Sequence, residues 1–292
     1  MKLFKTTITP SSNFGTSLKG DTLFGQICWA LYYADKERFE RLLKSYTEQP
    51  FLVVSDAFAK GYLPKPHLPS HLLGEDSDEK KVNRKKVWLT LSDLQNGTYV
   101  NAKKDDEVES SDKELTVIRN AINYKTFTTG AEGFDPYGER ELKLSQKNIY
   151  FLLDDVFQID ELKRALEFVS MMGYGKDASI GKGRFTFSVF EEVLLASKSK
   201  SFMTLSPFSP MGLASDELFY EPFTRFGKHG GDLANKNPFK KPLLLADVGA
   251  VVSFEKKKHL PYVGRAIEGH SVHKGTVHQG YAIVVPIKDL HE

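Results

Sequence analysis

The sequence predicts an α+β protein, and three observations predict it. A strand-like segment, an amphipathic helix and a buried-looking strand open the chain, the same strand–helix–strand order returns in its middle, and the last third reads as strands and glycine loops with no long helix. At 292 residues, 40% of them apolar, the chain is long enough for one large or two modest domains with a real core. Lys and Arg number 40 against 38 Asp and Glu, a formal net charge of +2, so whole-protein charge does not predict an avid non-specific polyanion binder. Any such site must be local. The single cysteine, Cys28, lies among Phe24, Ile27 and Leu31, which reads as a core thiol and excludes an internal disulfide or a cysteine-based zinc site. The N-terminus has no sustained apolar h-region and no stretch approaches the roughly 18 apolar residues of a membrane span, so the expectation is a cytoplasmic protein outside the membrane.

Each element follows from local pattern. Residues 2–9 alternate as a strand, "SSNFGTSLKGD" is a loop, and residues 22–34 read as a helix capped by Asp21, with Leu23, Ile27, Ala30, Leu31 and Ala34 on one face. A second short helix follows through Lys44. "PFLVVSDAF" is a buried strand, and "KGYLPKPHLP" behind it is extended loop, because proline removes donors and restrains the residue before it. Residues 74–86 and the tract "NAKKDDEVESSDKE" are nearly all charge and are expected as solvated insertions or mobile segments. Residues 115–140 give two strand-like arms about a glycine-bearing turn, a protruding hairpin. "NIYFLLDDVF" restores a strand, and Leu162, Ala165, Leu166, Val169 and Met172 mark a helix whose first turn Asp160 would cap and past whose end Gly173 suits a left-handed position. "RFTFSVFEEV" then alternates Phe185, Phe187 and Val189 as a strand. The order over residues 1–195 is that of a ferredoxin-like split βαβ. From 196 to 292, "SFMTLSPFSP", "PLLLADVGAVVSFE" and "YAIVVPI" predict a second, helix-poor domain.

Between the helix that ends at Met172 and the strand "RFTFSVFEEV" lies the segment that opens "GYGKDASIGKGRF", residues 173–185. It fails the two best-known glycine phosphate motifs: five residues separate Gly175 from Gly181, Gly183 follows Lys182 where the P-loop needs Ser or Thr, and Ala178 stands where the dinucleotide fingerprint needs glycine. The context is also reversed, since those motifs run from a strand into a helix. Its glycines would still let a phosphodiester approach the main chain, its N–H groups can form an anion nest, and Lys176, Lys182 and Arg184 add charge. Ser179 can donate to a phosphate or a 2′-hydroxyl. By itself such a segment serves equally as a tight connection.

Four segments carry a family likeness: "LKGDTLFGQICWAL" (18–31), "SDAFAKGYLPKPHLP" (55–69), "RNAINYKTFTTGAEGF" (119–134) and "GYGKDASIGKGRF". With these the chain resembles the RAMP superfamily of CRISPR effector proteins, and within it the fourth-subunit family of type III-A (Csm) complexes. Ala59 departs from the proline of that pattern. The resemblance covers the first two thirds of the chain. It implies tandem ferredoxin-like (RRM-like) domains, binding of the 5′ handle of a crRNA, docking on a large palm-domain subunit and on a neighbouring RAMP backbone subunit, no cofactor and no catalysis.

On that resemblance Gly175, Lys176, Ser179, Gly181, Lys182, Gly183 and Arg184 are expected at the RNA. In the hairpin, the thumb of the family, Arg119, Asn120, Asn123 and Lys125 offer donors and Phe134 and Tyr137 offer rings for splayed bases; a solvated loop with incidental aromatics is the plainer account. Lys19 and Gly20 open the first helix, where a lysine opposes the helix dipole unless an anion neutralises it, so a phosphate is expected there. Four of eight histidines, His259, His270, His273 and His278, fall near the C-terminus without the spacing of a zinc site, and no metal is expected. With Arg265, Lys274 and Lys256, Lys257 and Lys258 they read as a basic loop facing RNA or a partner, or as solvated surface. Two alternatives stay open: a metal-independent endoribonuclease using His67 or His273 as general base, and the equivalent subunit of another type III complex.

Overall fold

The computed structural model describes residues 1–109, 112–129, 133–195 and 198–291. Part of the second charged tract (110–111), the expected hairpin turn at 130–132 and the expected domain boundary at 196 lie outside them. The chain runs β1 (Lys2–Pro10), α1 (Gly20–Ala34), α2 (Lys36–Lys44), β2 (Leu52–Val54), β3 (Phe58–Ala59), β4 (Leu63–Pro64), α3 (Ser70–Leu73), α4 (Lys80–Asn83), β5 (Lys86–Leu89), α5 (Leu91–Asn96), β6 (Lys103–Lys104), β7 (Lys113–Arg119), β8 (Tyr137–Lys143), β9 (Lys147–Leu153) and α6 (Ile159–Met172). It continues through β10 (Phe185–Phe187), β11 (Glu191–Glu192), β12 (Ser199–Thr204), β13 (Glu217–Phe219), β14 (Pro222–Arg225), β15 (Leu243–Ala246), β16 (Val251–Lys258), β17 (Tyr262–Gly264) and β18 (Tyr281–Pro286).

The N-terminal sheet has the order β10-β1-β9-β2 with every neighbouring pair antiparallel, and α1 and α6 supply the two crossovers. That is the βαββαβ arrangement of a ferredoxin-like unit. The C-terminal sheet, β13-β16-β12-β18-β17, repeats the order: β12, β13, β16 and β18 take the places of β1, β2, β9 and β10. Both crossovers there, 205–216 and 265–280, are loops, so the second unit keeps the sheet and loses the helices.

One buried core spans both units, from Ile8, Ile27 and Phe151 to Met203, Tyr281 and Val285. Gln279 joins them, accepting from the Val54 N–H (2.9 Å) and donating to the Val54 carbonyl (2.8 Å), which pairs the free edge of β2 without a strand. Among the described residues no helix is long and apolar enough to cross a membrane.

Three local expectations are corrected. Asp21 does not cap α1: the cap position is Lys19, and Asp21, with a fully buried side chain, sits inside the first turn bound to Arg225. Gln158, not Asp160, caps α6 through a capping box with Glu161. Gly173 ends α6 at φ +96° and ψ +148°, outside the left-handed helical conformation expected of it. The charged stretches are largely exposed, as expected, and border a small sheet of β4, β5 and β6 with buried Leu63, Leu89 and Leu94 beneath it.

Candidate nucleic-acid interface

The glycine segment folds because its main chain is stapled to the loop before α1. Tyr174, fully buried, donates its hydroxyl to the Ser17 carbonyl (2.9 Å) and accepts from the Lys19 N–H (3.0 Å). Burial above all pushes that phenol well up, so it stays a neutral donor. The Tyr174 N–H meets the Gly183 carbonyl (2.9 Å) and the Gly183 N–H meets the Asn13 carbonyl (2.8 Å). Gly183 has φ +75°, and a Cβ there would stand 2.1 Å from the Tyr174 carbonyl oxygen; one at Gly175 would stand 2.2 Å from Thr16 Oγ1. Only glycine permits this approach of the two loops. The loop entering α1 and the loop leaving α6 therefore form one surface.

The hairpin joins them. β7 and β8 pair in register from Lys113 opposite Lys143 to Arg119 opposite Tyr137, and Phe14 bridges to Leu142 with N–H···O bonds of 2.8 Å in both directions. Glu139 and Glu141, two apart and so on one face of β8, reach under the glycine segment. Lys182 Nζ lies 2.9 Å from Asp177, 3.1 Å from Glu139 and 3.2 Å from Glu141, with a side chain only 6% exposed. Lys176 meets Glu139 at 2.7 Å, Arg119 meets Glu141 at 2.7 Å and also pairs with Glu139, and Asn13 donates to Glu141 at 2.8 Å. The bonds from Lys176 and then Lys182 hold the Glu139 carboxyl down to about 2. Three cations and three carboxylates balance here.

This geometry separates the expected site residues. Arg184 is exposed and outside the cluster, while Lys182 is buried within it. Gly175, Ser179 and Gly181 line the outer turn, where Ala178–Ile180 forms a single 3-10 turn. Lys19 is neutralised by protein, not left for a phosphate: its Nζ lies 2.8 Å from Asp56 and 3.4 Å from Asp247, and the same Asp56 accepts from the Gly20 N–H at 2.7 Å. The expected anion at the α1 N-terminus is a buried carboxylate.

Beyond Arg119 the hairpin turns outward. Asn123 and Thr128 bridge its tip, the Asn123 carboxamide accepts from the Lys125 N–H (2.9 Å), and Asn120 and Lys125 are exposed. Phe134 is half-buried and Tyr137 exposed. Ile118, Ile122, Tyr124 and Phe127 are 53–87% exposed, and of these sequence reading missed the two isoleucines. It also missed Glu139 and Glu141, whose alternation on a strand was the signal available.

Arg265 and Lys274 are exposed and His273 half-buried on the 265–280 crossover, apart from the carboxylate cluster. Of the four histidines His259 is exposed, but His270 and His278 are not solvated surface. His270 and His278 are buried with rings 5.8 Å apart, His278 lies 3.5 Å from Asp21, and burial holds both near 4 and therefore neutral.

Two ferredoxin-like units, with a glycine loop and a hairpin on the first, define an α+β fold. The chain's fold matches chains in a Csm1–Csm4 cassette bound to AMPPNP (TM-score 0.63, 18% identity, 99% of each chain) and in the same kind of cassette bound to pppApA (0.63, 17%, 100% of each). A Csm3–Csm4 subcomplex of the type III-A CRISPR-Cas interference complex matches at 0.60, with 15% identity over 99% of this chain and all of that one. No protein-family profile matches the sequence. No curated protein matches it either.

Proposed function

We propose that this protein is a non-catalytic scaffold subunit of a type III-A CRISPR interference complex that holds the 5′ handle of the crRNA and docks on the large palm-domain subunit and a neighbouring RAMP subunit. The observation that carries the proposal is the full-length likeness to chains of the Csm1–Csm4 and Csm3–Csm4 assemblies. The glycine surface and the hairpin supply the chemistry such a role needs. Main chain at the half-buried Gly175 and Gly181 suits phosphates, the exposed Arg184 supplies a cation, and exposed rings on the hairpin suit unstacked bases. The two histidines that a nuclease reading would use as bases each have one ring nitrogen engaged by a backbone carbonyl. His67 Nε2 lies 2.8 Å from the Val248 carbonyl and His273 Nε2 lies 2.9 Å from that of Lys236, so in each ring that nitrogen serves as donor.

Co-expression with the other subunits and a repeat-containing RNA tests this. A complex holding this chain, a palm-domain subunit and an RNA crosslinked through residues 175–184 or the hairpin is the expected result. Discrete cleavage of labelled repeat RNA by the isolated protein, lost on substitution of His67 or His273, would replace the scaffold reading with the nuclease one.

A further inference from the structure

We propose that the cavity between α1, α2 and the C-terminal loops 226–241 and 273–277 binds a nucleoside phosphate. The cavity measures about 440 Å³, within the range of sites for cofactor-sized ligands. Its lining has two chemistries. Trp29, Tyr32 and Phe39 bring aromatic rings from the helices, and Lys236, Lys240 and Lys274 bring three cations from the loops. The one acid in the lining, Asp232, already accepts from the Tyr33 hydroxyl at 3.0 Å.

Lys240 carries the argument furthest. It is half-buried and its ammonium has no ion pair or hydrogen bond among the described residues. Burial pulls its pKa down against the attraction of Asp21, a carboxylate already bound to Arg225, and the nearby His229, His270 and His278 are neutral, with Lys240 itself among the causes after burial. An unpaired, partly desolvated ammonium is costly, and a bound anion would remove that cost. The protein leaves it lining an open volume, with the one carboxylate that acts on it, Asp21, paired to Arg225 instead.

The rings are held by construction. Gly231 has φ +54°, and a Cβ there would lie 2.7 Å from Trp29 Cδ2, so loop 226–241 closes directly on the indole. His229 is fixed in turn, its Nε2 2.7 Å from Ser271 Oγ and its ring 4.9 Å from that of His273. A bare inorganic anion would use the lysines and leave the rings uncovered, and an acidic peptide would bring no flat ring for them. A base joined to phosphate uses both. This inference is independent of the reading of the glycine surface, and its ligand is either a free nucleotide or the terminal nucleotide of an RNA strand.

The chain has two tryptophans, so Trp88→Phe leaves Trp29 as the sole indole reporter. That protein is titrated with ATP, adenosine, tripolyphosphate and a short 5′-phosphorylated RNA, by fluorescence and calorimetry. ATP should bind saturably, change Trp29 emission and bind at least about tenfold tighter than adenosine or tripolyphosphate. Lys240→Met should weaken ATP by about tenfold or more at an unchanged melting temperature. Competition between RNA and ATP identifies a strand end as the natural source, and its absence identifies a free nucleotide. No saturable ATP binding, equal affinity for tripolyphosphate, or undiminished binding by folded Lys240→Met overturns the proposal. Should Lys240→Met not fold, the double variant Lys236→Ala/Lys274→Ala, at two exposed positions, is held to the same tenfold criterion.

Discussion

Lys182 and Arg184 are two residues apart and have opposite jobs. Lys182 is buried against Asp177, Glu139 and Glu141, so burial opposes its charge while the three carboxylates outweigh burial and raise its pKa. Removing its amine leaves carboxylates facing one another. Lys182→Met is therefore expected to lower the melting temperature markedly, and any loss of RNA binding follows from lost structure. Arg184 touches no part of that cluster. Arg184→Ala should keep the melting temperature, weaken binding of handle RNA and flatten the slope of log K against log salt by about 0.7–1. Thermal melts paired with titrations at two salt concentrations separate the two, and equal RNA defects with both melts unchanged would defeat the assignment.

The hairpin is an element whose composition cannot bury itself. Its base is fixed by the Phe14–Leu142 bridge and by Arg119, but Ile118, Ile122, Tyr124, Phe127 and Tyr137 stand in solvent. Phe127 also has φ +51°, a left-handed value that non-glycine residues rarely take. Stacking on such rings contributes about 1–3 kcal/mol per base, so Tyr137→Ala or Phe127→Ala should cost roughly tenfold in RNA affinity and little in fold stability. Hydrogen exchange should show residues 120–129 and 133–136 gaining protection when RNA is added. Strong protection already present without RNA would make the hairpin a rigid structural feature.

At the scale of the whole molecule, the two sheets share one core and a set of buried polar joints, and those joints titrate. His229, His270 and His278 sit near 4, held down first by burial, against about 6.5 in an unfolded chain. The unfolded state thus binds more protons between pH 4 and 6.5, so stability is full above 6.5 and falls as pH drops through that window. Asp56 works in the opposite sense there, since burial holds it up to about 6 against the pull of Lys19. Three histidines less one carboxyl leave a net uptake of about two protons on unfolding. Glu139 and Asp93, both held down to about 2, lose their stabilising charge only at lower pH. Melting temperature should accordingly fall between pH 6.5 and 4.5, and His270→Phe should shallow that fall. A flat profile over this window would count against the buried neutral histidines.

Sequence alone determined what depends on neighbours along the chain. The period of α1 and α6, the apolar run of β9, the alternation of β10, the glycine connection between α6 and β10, and the paired arms of β7 and β8 are local, and hydrophobic spacing and turn residues encode them directly. From their order the ferredoxin-like class followed. Tertiary structure decided what depends on residues far apart: Lys19 finds Asp56 and Asp247, Asp21 finds Arg225, Gln279 completes β2, and Glu139 and Glu141 reach Lys182. The second sheet repeats the order of the first although its crossovers are loops, so no helical period advertised it. A charged side chain has the same letter whether it meets solvent, a phosphate or a buried partner. Which of these it meets is fixed only when the fold brings distant segments together and removes the water between them.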